Sequence, residues 1–213
     1  SSGVLPEMLE SLKTHGIPLD SIDEWLVGTG PGSFTGLRLM ASIVAGLNFG
    51  KKNIPCSGIP SALALAASAT AEYDHARAAV LSDGRNREFL LYGVGKEDGC
   101  IKSMGEPRIF GQDSLPVNEL SSFDSFVSMA KDKDALSAIL PPGIFNRTLF
   151  PEKFPVTEFF NPSIRERSGI NDLIYVRPAV FVEPKKFWEL TKRNAAAIIT
   201  AHVMILRFLF KSV

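Results

Sequence analysis

Residues 28–38 read Gly-Thr-Gly-Pro-Gly-Ser-Phe-Thr-Gly-Leu-Arg, a glycine-rich run that directly follows the short apolar segment 25–27. The apolar segment predicts a buried β-strand, and the glycines predict a tight turn that leads into a helix over 33–49. Ser33 is suited to cap this helix, because its side-chain oxygen can accept a hydrogen bond from an unpaired amide of the first turn. The candidate site residues of the turn are Gly30, Gly32, Ser33, Thr35 and Gly36.

The same turn is also a candidate for contact with a phosphate, because the first amides of a helix attract anions. It does not match the familiar phosphate loops, since no Gly-Lys-Ser/Thr follows it and Ser33 stands where the dinucleotide fingerprint has its third glycine. It is not a nucleophile elbow either, because Pro31 replaces the first glycine of that motif. Two interpretations remain open, a capped tight turn and a phosphate contact.

The helix after the turn carries more apolar surface than its own sheet can cover. On a helical wheel the main apolar positions share one broad face, and the small residues beside them widen that face to more than half of the circumference. These positions are Leu37, Met40, Ile43, Val44 and Leu47. Either a second subunit covers part of this face, or the helix is buried at the centre of one domain.

A second apolar stripe lies near the start of the chain. Leu5, Met8, Leu9 and Leu12 recur at the i, i+3, i+4 and i+7 positions of a helix, and Gly16 follows as a stop signal. The pattern predicts a short amphipathic helix with a single apolar face.

The rest of the chain alternates predicted strands and helices, which is typical of the α/β class. The predicted elements are a strand at 54–59, a helix at 61–71, a hairpin of strands 78–82 and 88–94 with its turn at 83–86, a strand near 107–110, a strand at 172–176 and a helix from 185. The signals are weak between 112 and 160.

The composition of the chain argues against several classes of function. Lys and Arg number 23, and so do Asp and Glu, so the formal net charge is zero, which argues against an autonomous nucleic-acid binder. Cys56 and Cys100 fit no metal or redox spacing, and no signal peptide is recognisable, so we expect a cytoplasmic protein. The apolar stretch 195–210 is interrupted by polar residues and is short for a bilayer, which favours a docking helix over a membrane-surface role.

The glycine-rich run resembles the TsaB (YeaZ) family of the glycoprotease-like superfamily, the non-catalytic partners in bacterial tRNA threonylcarbamoyladenosine synthesis. The similarity is convincing up to about residue 94. It is carried by 28–38 with Ala45-Gly46-Leu47, and less strongly by the first helix, 59–61, 83–88 and 175–178.

The resemblance implies two similar α/β lobes of the actin-like, sugar-kinase-like (ASKHA, ribonuclease H-like) fold. On that basis we expect the remainder of the first lobe with the interface helices at 1–72, the second lobe at 73–184 and a helical tail at 185–213. Family members begin earlier, with a strand that carries Asp-Thr-Ser and a hairpin. We therefore expect a trimmed or truncated start that lacks the opening strands of the first lobe and its first phosphate loop, and weak or no nucleotide binding.

The resemblance also implies a scaffold's role. In the family, TsaD transfers the threonylcarbamoyl group to the adenosine beside the tRNA anticodon, and TsaB supports it together with the ATPase TsaE, meeting tRNA only indirectly. The first two helices of the family form a bundle with TsaD or with a second TsaB copy. By this resemblance the two apolar stripes become the partner interface, and the chain is expected to supply no catalytic residue, metal ligand or cofactor.

Enzymatic alternatives on the same fold lack their usual residues. A metallopeptidase needs metal ligands, but His15, His75 and His202 are far apart in sequence and form no His-x-x-x-His pair. A phosphotransferase needs an acidic base and an intact first phosphate loop, and we interpret Asp83 and Glu88 as hairpin residues. A homodimer without any contact to TsaD stays open, because it would use the same apolar residues.

Overall fold

The computed structural model describes residues 3–50, 54–70 and 76–175. Over these residues the three predicted helices and the strands predicted up to residue 110 are confirmed, with bounds that differ by a few residues. The helices are α1 (Val4–Thr14), α2 (Phe34–Asn48), α3 (Ser61–Thr70), α4 (Val117–Leu120), α5 (Lys133–Ser137) and α6 (Pro142–Phe145). The strands are β1 (Trp25–Gly28), β2 (Cys56–Ile59), β3 (Ala76–Arg85), β4 (Glu88–Glu97), β5 (Cys100–Ser103), β6 (Arg108–Gly111), β7 (Ser125–Val127) and β8 (Thr148–Leu149). Single 3-10 turns lie at Leu19–Ser21, Gln112–Ser114, Ala130–Asp132 and Val156–Phe160.

The strands form two sheets. β1 and β2 pair in parallel as a two-stranded sheet. The other sheet has six strands in the order β5-β4-β3-β7-β8, and β6 pairs with the far end of β4. The β3–β4 hairpin is antiparallel, whereas β7 and β8 add to it in parallel. The architecture is mixed α/β, as the sequence predicts.

The β3–β4 hairpin is longer than its sequence pattern predicts, and both faces of its central part are covered. Val80 and Leu90 face a core that includes α3, whereas Leu81 and Phe89 face a second core built with α4, α5 and β7. A strand that is buried on both faces reads as a continuous apolar run rather than as an alternation. The alanine-rich helix α3 packs against the β3–β4 hairpin, and seven of its residues are buried. Its small side chains allow the helix to approach the hairpin closely.

Residues 161–175, which we call the strap, connect the two sheets. The amide of Ile101 in β5 donates to the carbonyl of Ser163 at 2.8 Å. Gly58 in β2 then exchanges two backbone hydrogen bonds with Ser168, at 2.7 and 3.0 Å. Farther along, the amide of Ile174 donates to the carbonyl of Thr29 at 2.8 Å, just beyond β1.

The last residues of the strap do not form the strand that the sequence predicts there. The strand predicted at 172–176 is wrong over its described residues, which form only an isolated bridge between Tyr175 and Gly32. The carboxylate of Asp172 accepts a hydrogen bond from the Gly169 amide at 2.7 Å, so the backbone turns there before it reaches the glycine-rich turn. Residue 176 and the helix predicted from 185 lie outside the described residues.

The predicted division into 1–72, 73–184 and 185–213 stays a prediction. The described residues place the two-stranded sheet before residue 72 and the six-stranded sheet after residue 73. The tail at 185–213 lies outside them.

We expect Gly58→Ala to lower the free energy of unfolding by about 1–3 kcal/mol, as overpacking does in closely packed sites. A Cβ at this position would lie 2.7 Å from the carbonyl oxygen of Gly169 and 2.5 Å from a methyl carbon of Thr29. Urea unfolding of both proteins measures the difference.

The matched control is Gly46→Ala on α2, where a Cβ would meet no atom within 4 Å. Alanine is the better helix former, so this variant should gain about 0.5–1 kcal/mol. A Gly58→Ala protein as stable as the wild type would show that the strap does not approach β2 this closely.

Candidate functional site

The glycine-rich turn leads from β1 into a capped helix. The Ser33 side-chain oxygen accepts a hydrogen bond from the Gly36 amide at 3.1 Å, which confirms Ser33 as the N-cap of α2. A Cβ on Gly36 would lie 2.7 Å from that oxygen, so the missing side chain leaves the cap undisturbed. Thr35, in the same first turn, is exposed.

The turn is occupied by the chain's own backbone. Gly30 has a φ of +113°, which favours glycine, and its carbonyl accepts from the Ser61 amide at 2.6 Å. A Cβ on Gly30 would lie 2.5 Å from the carbonyl oxygen of Ile174 in the strap. Gly32 forms a bridge with Tyr175. These contacts account for the glycines as sites of close backbone approach, and a phosphate contact stays a prediction.

Arg38 and Phe34 form a cluster with Tyr175 that the sequence analysis missed. The Arg38 guanidinium donates through Nε to the Tyr175 hydroxyl at 2.9 Å and lies 4.0 Å from the centre of the Phe34 ring. The Phe34 and Tyr175 rings are 4.8 Å apart between their centres. The available signal was the i, i+4 spacing of Phe34 and Arg38, but their partner lies 137 residues away from Arg38.

The apolar stripe of α1 lies on the surface. None of the residues of α1 is buried. Leu5 and Leu9 are 36% and 40% exposed, whereas Met8 and Leu12 are half-buried. Ile17, just beyond the helix, is 45% exposed and extends the apolar surface.

The broad face of α2 divides into an inner and an outer part. Ala41 and Val44 are buried within the chain, Val44 to 2% exposure. The other predicted interface positions of this helix, namely Leu37, Met40, Ile43 and Leu47, are half-buried. Phe49, at the C-terminal end of the helix, is 88% exposed. Val44 is therefore a packing residue of the protomer itself, and substituting it would disturb folding and association together.

The C-terminal end of α2 is attached to β2. The Asn48 side-chain amide donates to the carbonyl of Ile54 at 3.1 Å and to the Cys56 sulfur at 3.2 Å. Burial raises the pKa of the Cys56 thiol above its ordinary value, and the hydrogen bond from Asn48 offsets part of that rise. Cys56 therefore stays a thiol at neutral pH, which makes it a weak nucleophile.

Polar groups elsewhere hold the fold together. Tyr92 and Ser103 share a hydrogen bond of 2.7 Å between their hydroxyls, and Ser103 donates from its amide and hydroxyl to Glu166 in the strap. Burial raises the pKa of Tyr92, so its hydroxyl stays protonated.

Within residues 3–50, 54–70 and 76–175, no three His, Cys, Asp or Glu side chains lie close enough together to form a metal-binding group. His15 bonds to the Ser11 carbonyl at the exposed end of α1.

The two remaining histidines, His75 and His202, lie outside the described residues. Among the described helices, none combines the length and the apolar character needed to cross a bilayer.

Comparison with known proteins identifies the family of this chain. The sequence model of the family described as "TsaD: tRNA N6-adenosine threonylcarbamoyltransferase" matches residues 1–131. The chain belongs to this family. The matched range contains α1, the glycine-rich turn, α2 and the β3–β4 hairpin.

Curated relatives within this family are TsaB proteins, which confirms the TsaB (YeaZ) resemblance. The chain is 34% identical over 94 residues to the tRNA threonylcarbamoyladenosine biosynthesis protein TsaB of Haemophilus influenzae, over 44% of this chain and 39% of that protein. It is 33% identical over 98 residues to the TsaB of the same description from Escherichia coli K12, over 46% and 42%. The match thus spans about two fifths of each relative.

Solved structures support the fold. A protein from Pseudomonas aeruginosa described as similar to the peptidase YeaZ has a TM-score of 0.58 at 19% identity, covering 83% of both chains. YeaZ from Pseudomonas aeruginosa has a TM-score of 0.54 at 22% identity, covering 74% of this chain and 71% of its own. The actin-like, ASKHA-type fold class is thereby confirmed.

We expect Ser33→Ala to lower the free energy of unfolding by about 1 kcal/mol, as the loss of a side-chain N-cap does. The variant leaves the Gly36 amide without its partner. Chemical unfolding followed by circular dichroism measures the change. Thr35→Ala, in the same turn, is the control and should stay within about 0.5 kcal/mol of the wild type, as exposed positions do. Equal losses for both variants would contradict the capping role.

Proposed function

We propose that this chain is a TsaB-type, non-catalytic subunit that binds a TsaD-type subunit through the apolar surface of α1 and α2. In this role it supports threonylcarbamoyl transfer to the tRNA adenosine beside the anticodon. The observation that carries the proposal is α1, an amphipathic helix in which none of the residues is buried. Its stripe has the composition of a core face and occupies the surface.

Both helices offer apolar side chains to a partner. Leu5 and Leu9 on α1 are exposed, and Met40, Ile43 and Leu47 on α2 are only half-buried. Removing apolar area from water stabilises an association by about 25 cal/mol per Å², before the cost of ordering the partners. A formal net charge of zero adds no overall repulsion between subunits.

The proposal assigns the chemistry to the partner. In it, this chain contributes no catalytic residue and requires neither a metal nor a nucleotide of its own. A TsaE-type ATPase belongs to the same assembly, the tRNA meets this chain only indirectly, and the assembly works in the cytoplasm. The TsaB relatives are described as tRNA threonylcarbamoyladenosine biosynthesis proteins, which supports a place for this chain in that biosynthesis.

A homodimer through the same surface is the second candidate. The same apolar positions can be self-complementary about a two-fold axis, and the exposure of Phe49, at the C-terminal end of α2, favours burial by another chain. Size-exclusion chromatography with light scattering separates the two candidates. The chain is measured alone and mixed with the TsaD protein of the same genome. A one-to-one complex with TsaD that replaces the homodimer supports the proposal. A homodimer that persists in the mixture and does not bind TsaD contradicts it.

We expect Leu9→Glu to weaken the complex with TsaD by at least tenfold, equivalent to about 1.4 kcal/mol, because it places a charge in the centre of the α1 stripe. Leu9 is 40% exposed in a helix without buried residues, so the variant should keep the circular dichroism spectrum and thermal midpoint of the wild type. Titration calorimetry measures the affinity.

Val117→Glu is the matched control, since Val117 is 58% exposed on α4 and outside the two helices. It should bind TsaD like the wild type. If Leu9→Glu also bound normally, α1 would not belong to the interface.

A further inference from the structure

Polar side-chain contacts hold both ends of helix α2. Of its residues only Ala41 and Val44 are buried. Its C-terminal end is fixed by the Asn48 side chain, which bonds to Ile54 and Cys56 next to and within β2. Its N-terminal end carries the cluster of Phe34, Arg38 and Tyr175.

The cluster fixes that end through the strap. Tyr175 offers its hydroxyl to Arg38 at 2.9 Å and its ring to Phe34 at 4.8 Å between centres. The Arg38 guanidinium lies over the Phe34 ring, 4.0 Å from its centre, and is 5.7 Å from the centre of the Tyr175 ring. A guanidinium stacked on aromatic faces and hydrogen-bonded to one of them is held in one orientation.

The strap is itself firmly placed, so it can serve as the anchor. Ile164 is 2% exposed in the core, and Ser168 exchanges two backbone hydrogen bonds with Gly58. Ile174, next to Tyr175, donates to the Thr29 carbonyl. Tyr175 thus links α2 to a segment that is bonded to both sheets.

We propose that Tyr175 is a positioning residue that clamps the first turns of α2 and thereby sets the orientation of its outer apolar face. The clamp joins residues 137 positions apart and lies at the N-terminal end of the helix, whereas the outer face extends to Leu47. The clamp concerns the free chain. Its effect on binding rests on the proposed function.

Limited trypsin digestion of the intact chain tests the clamp directly, because Arg38 is the one basic residue of α2. Cleavage there requires local opening of the helix, and its rate follows the population of the open form when closing is fast. Tyr175→Phe keeps the ring and loses the hydroxyl, so cleavage at Arg38 should rise about fivefold, as for one lost hydrogen bond. Tyr175→Ala loses the ring as well and should raise cleavage more than about tenfold.

Two references make the digestion specific. Cleavage at Lys102, exposed in β5, should not change, which excludes global unfolding as the cause. Phe160→Ala removes an aromatic ring that is 74% exposed and should leave cleavage at Arg38 at the wild-type rate. Equal cleavage in wild type and both Tyr175 variants, or a parallel rise at Lys102, would overturn the clamp.

The affinity of the same variants for TsaD tests whether the clamp positions the outer face. Tyr175→Phe and Tyr175→Ala should weaken binding in the same order in which they open the helix, although neither changes a residue of the apolar stripes. Opening of the helix with unchanged affinity would overturn the positioning role. A wild-type chain that does not bind TsaD would contradict the proposed function, and the digestion would still decide the clamp.

Discussion

The close approach between the strap and the glycines of the first sheet is the contact on which the rest of this structure depends. Gly58 meets Ser168 backbone to backbone, and Gly30 leaves room for the Ile174 carbonyl. A two-stranded sheet is marginal by itself in water. Here the strap adds hydrogen bonds at β2 and just beyond β1, and it also bonds to β5, so the small sheet is connected to the large one. Because these glycines have no side chains, the backbone of the strap can approach the sheet as closely as a third strand would.

The glycine-rich run therefore has two functions in the fold. It turns the chain from β1 into α2, with Ser33 as the cap, and it presents Thr29 and Gly32 to the strap. The familiar use of such a turn is to hold an anion at a helix N-terminus. In this chain the backbone of the strap lies against the turn, and Arg38, one turn into the helix, contacts two aromatic rings.

Local patterns predicted the parts of the fold that depend on local physics. The N-cap at Ser33 and the stripe of α1 each rest on residues within a few positions of one another. The hairpin itself is confirmed, but its turn, predicted at 83–86, lies at 86–87 because β3 continues to Arg85. β7 and β8 were missed because strands of three and two residues carry almost no periodicity. The strand predicted at 172–176 is wrong because Ile174 bonds to Thr29 and Tyr175 forms an isolated bridge with Gly32, without a continuous ladder.

The candidate site was predictable to the same extent. Both apolar stripes are visible in the sequence, but a helical wheel cannot tell an inner position from an outer one on a broad face. Val44 and Ile43 are adjacent β-branched apolar residues, yet only Val44 is buried in the protomer. The contact of Arg38 with Tyr175 could not be predicted, because it depends on how the strap returns to the glycine-rich turn.

The exposure of α1 has a thermodynamic consequence. An eleven-residue helix without buried residues is near the length at which isolated helices are marginal in water. A partner that covers Leu5 and Leu9 would therefore also shift the helix–coil equilibrium of the whole segment. Part of the gross interaction energy is then used to order backbone, which lowers the affinity for a given contact area and keeps the contact readily reversible. The association should show a more negative heat capacity change than the docking of two rigid surfaces, because folding and burial occur in the same step.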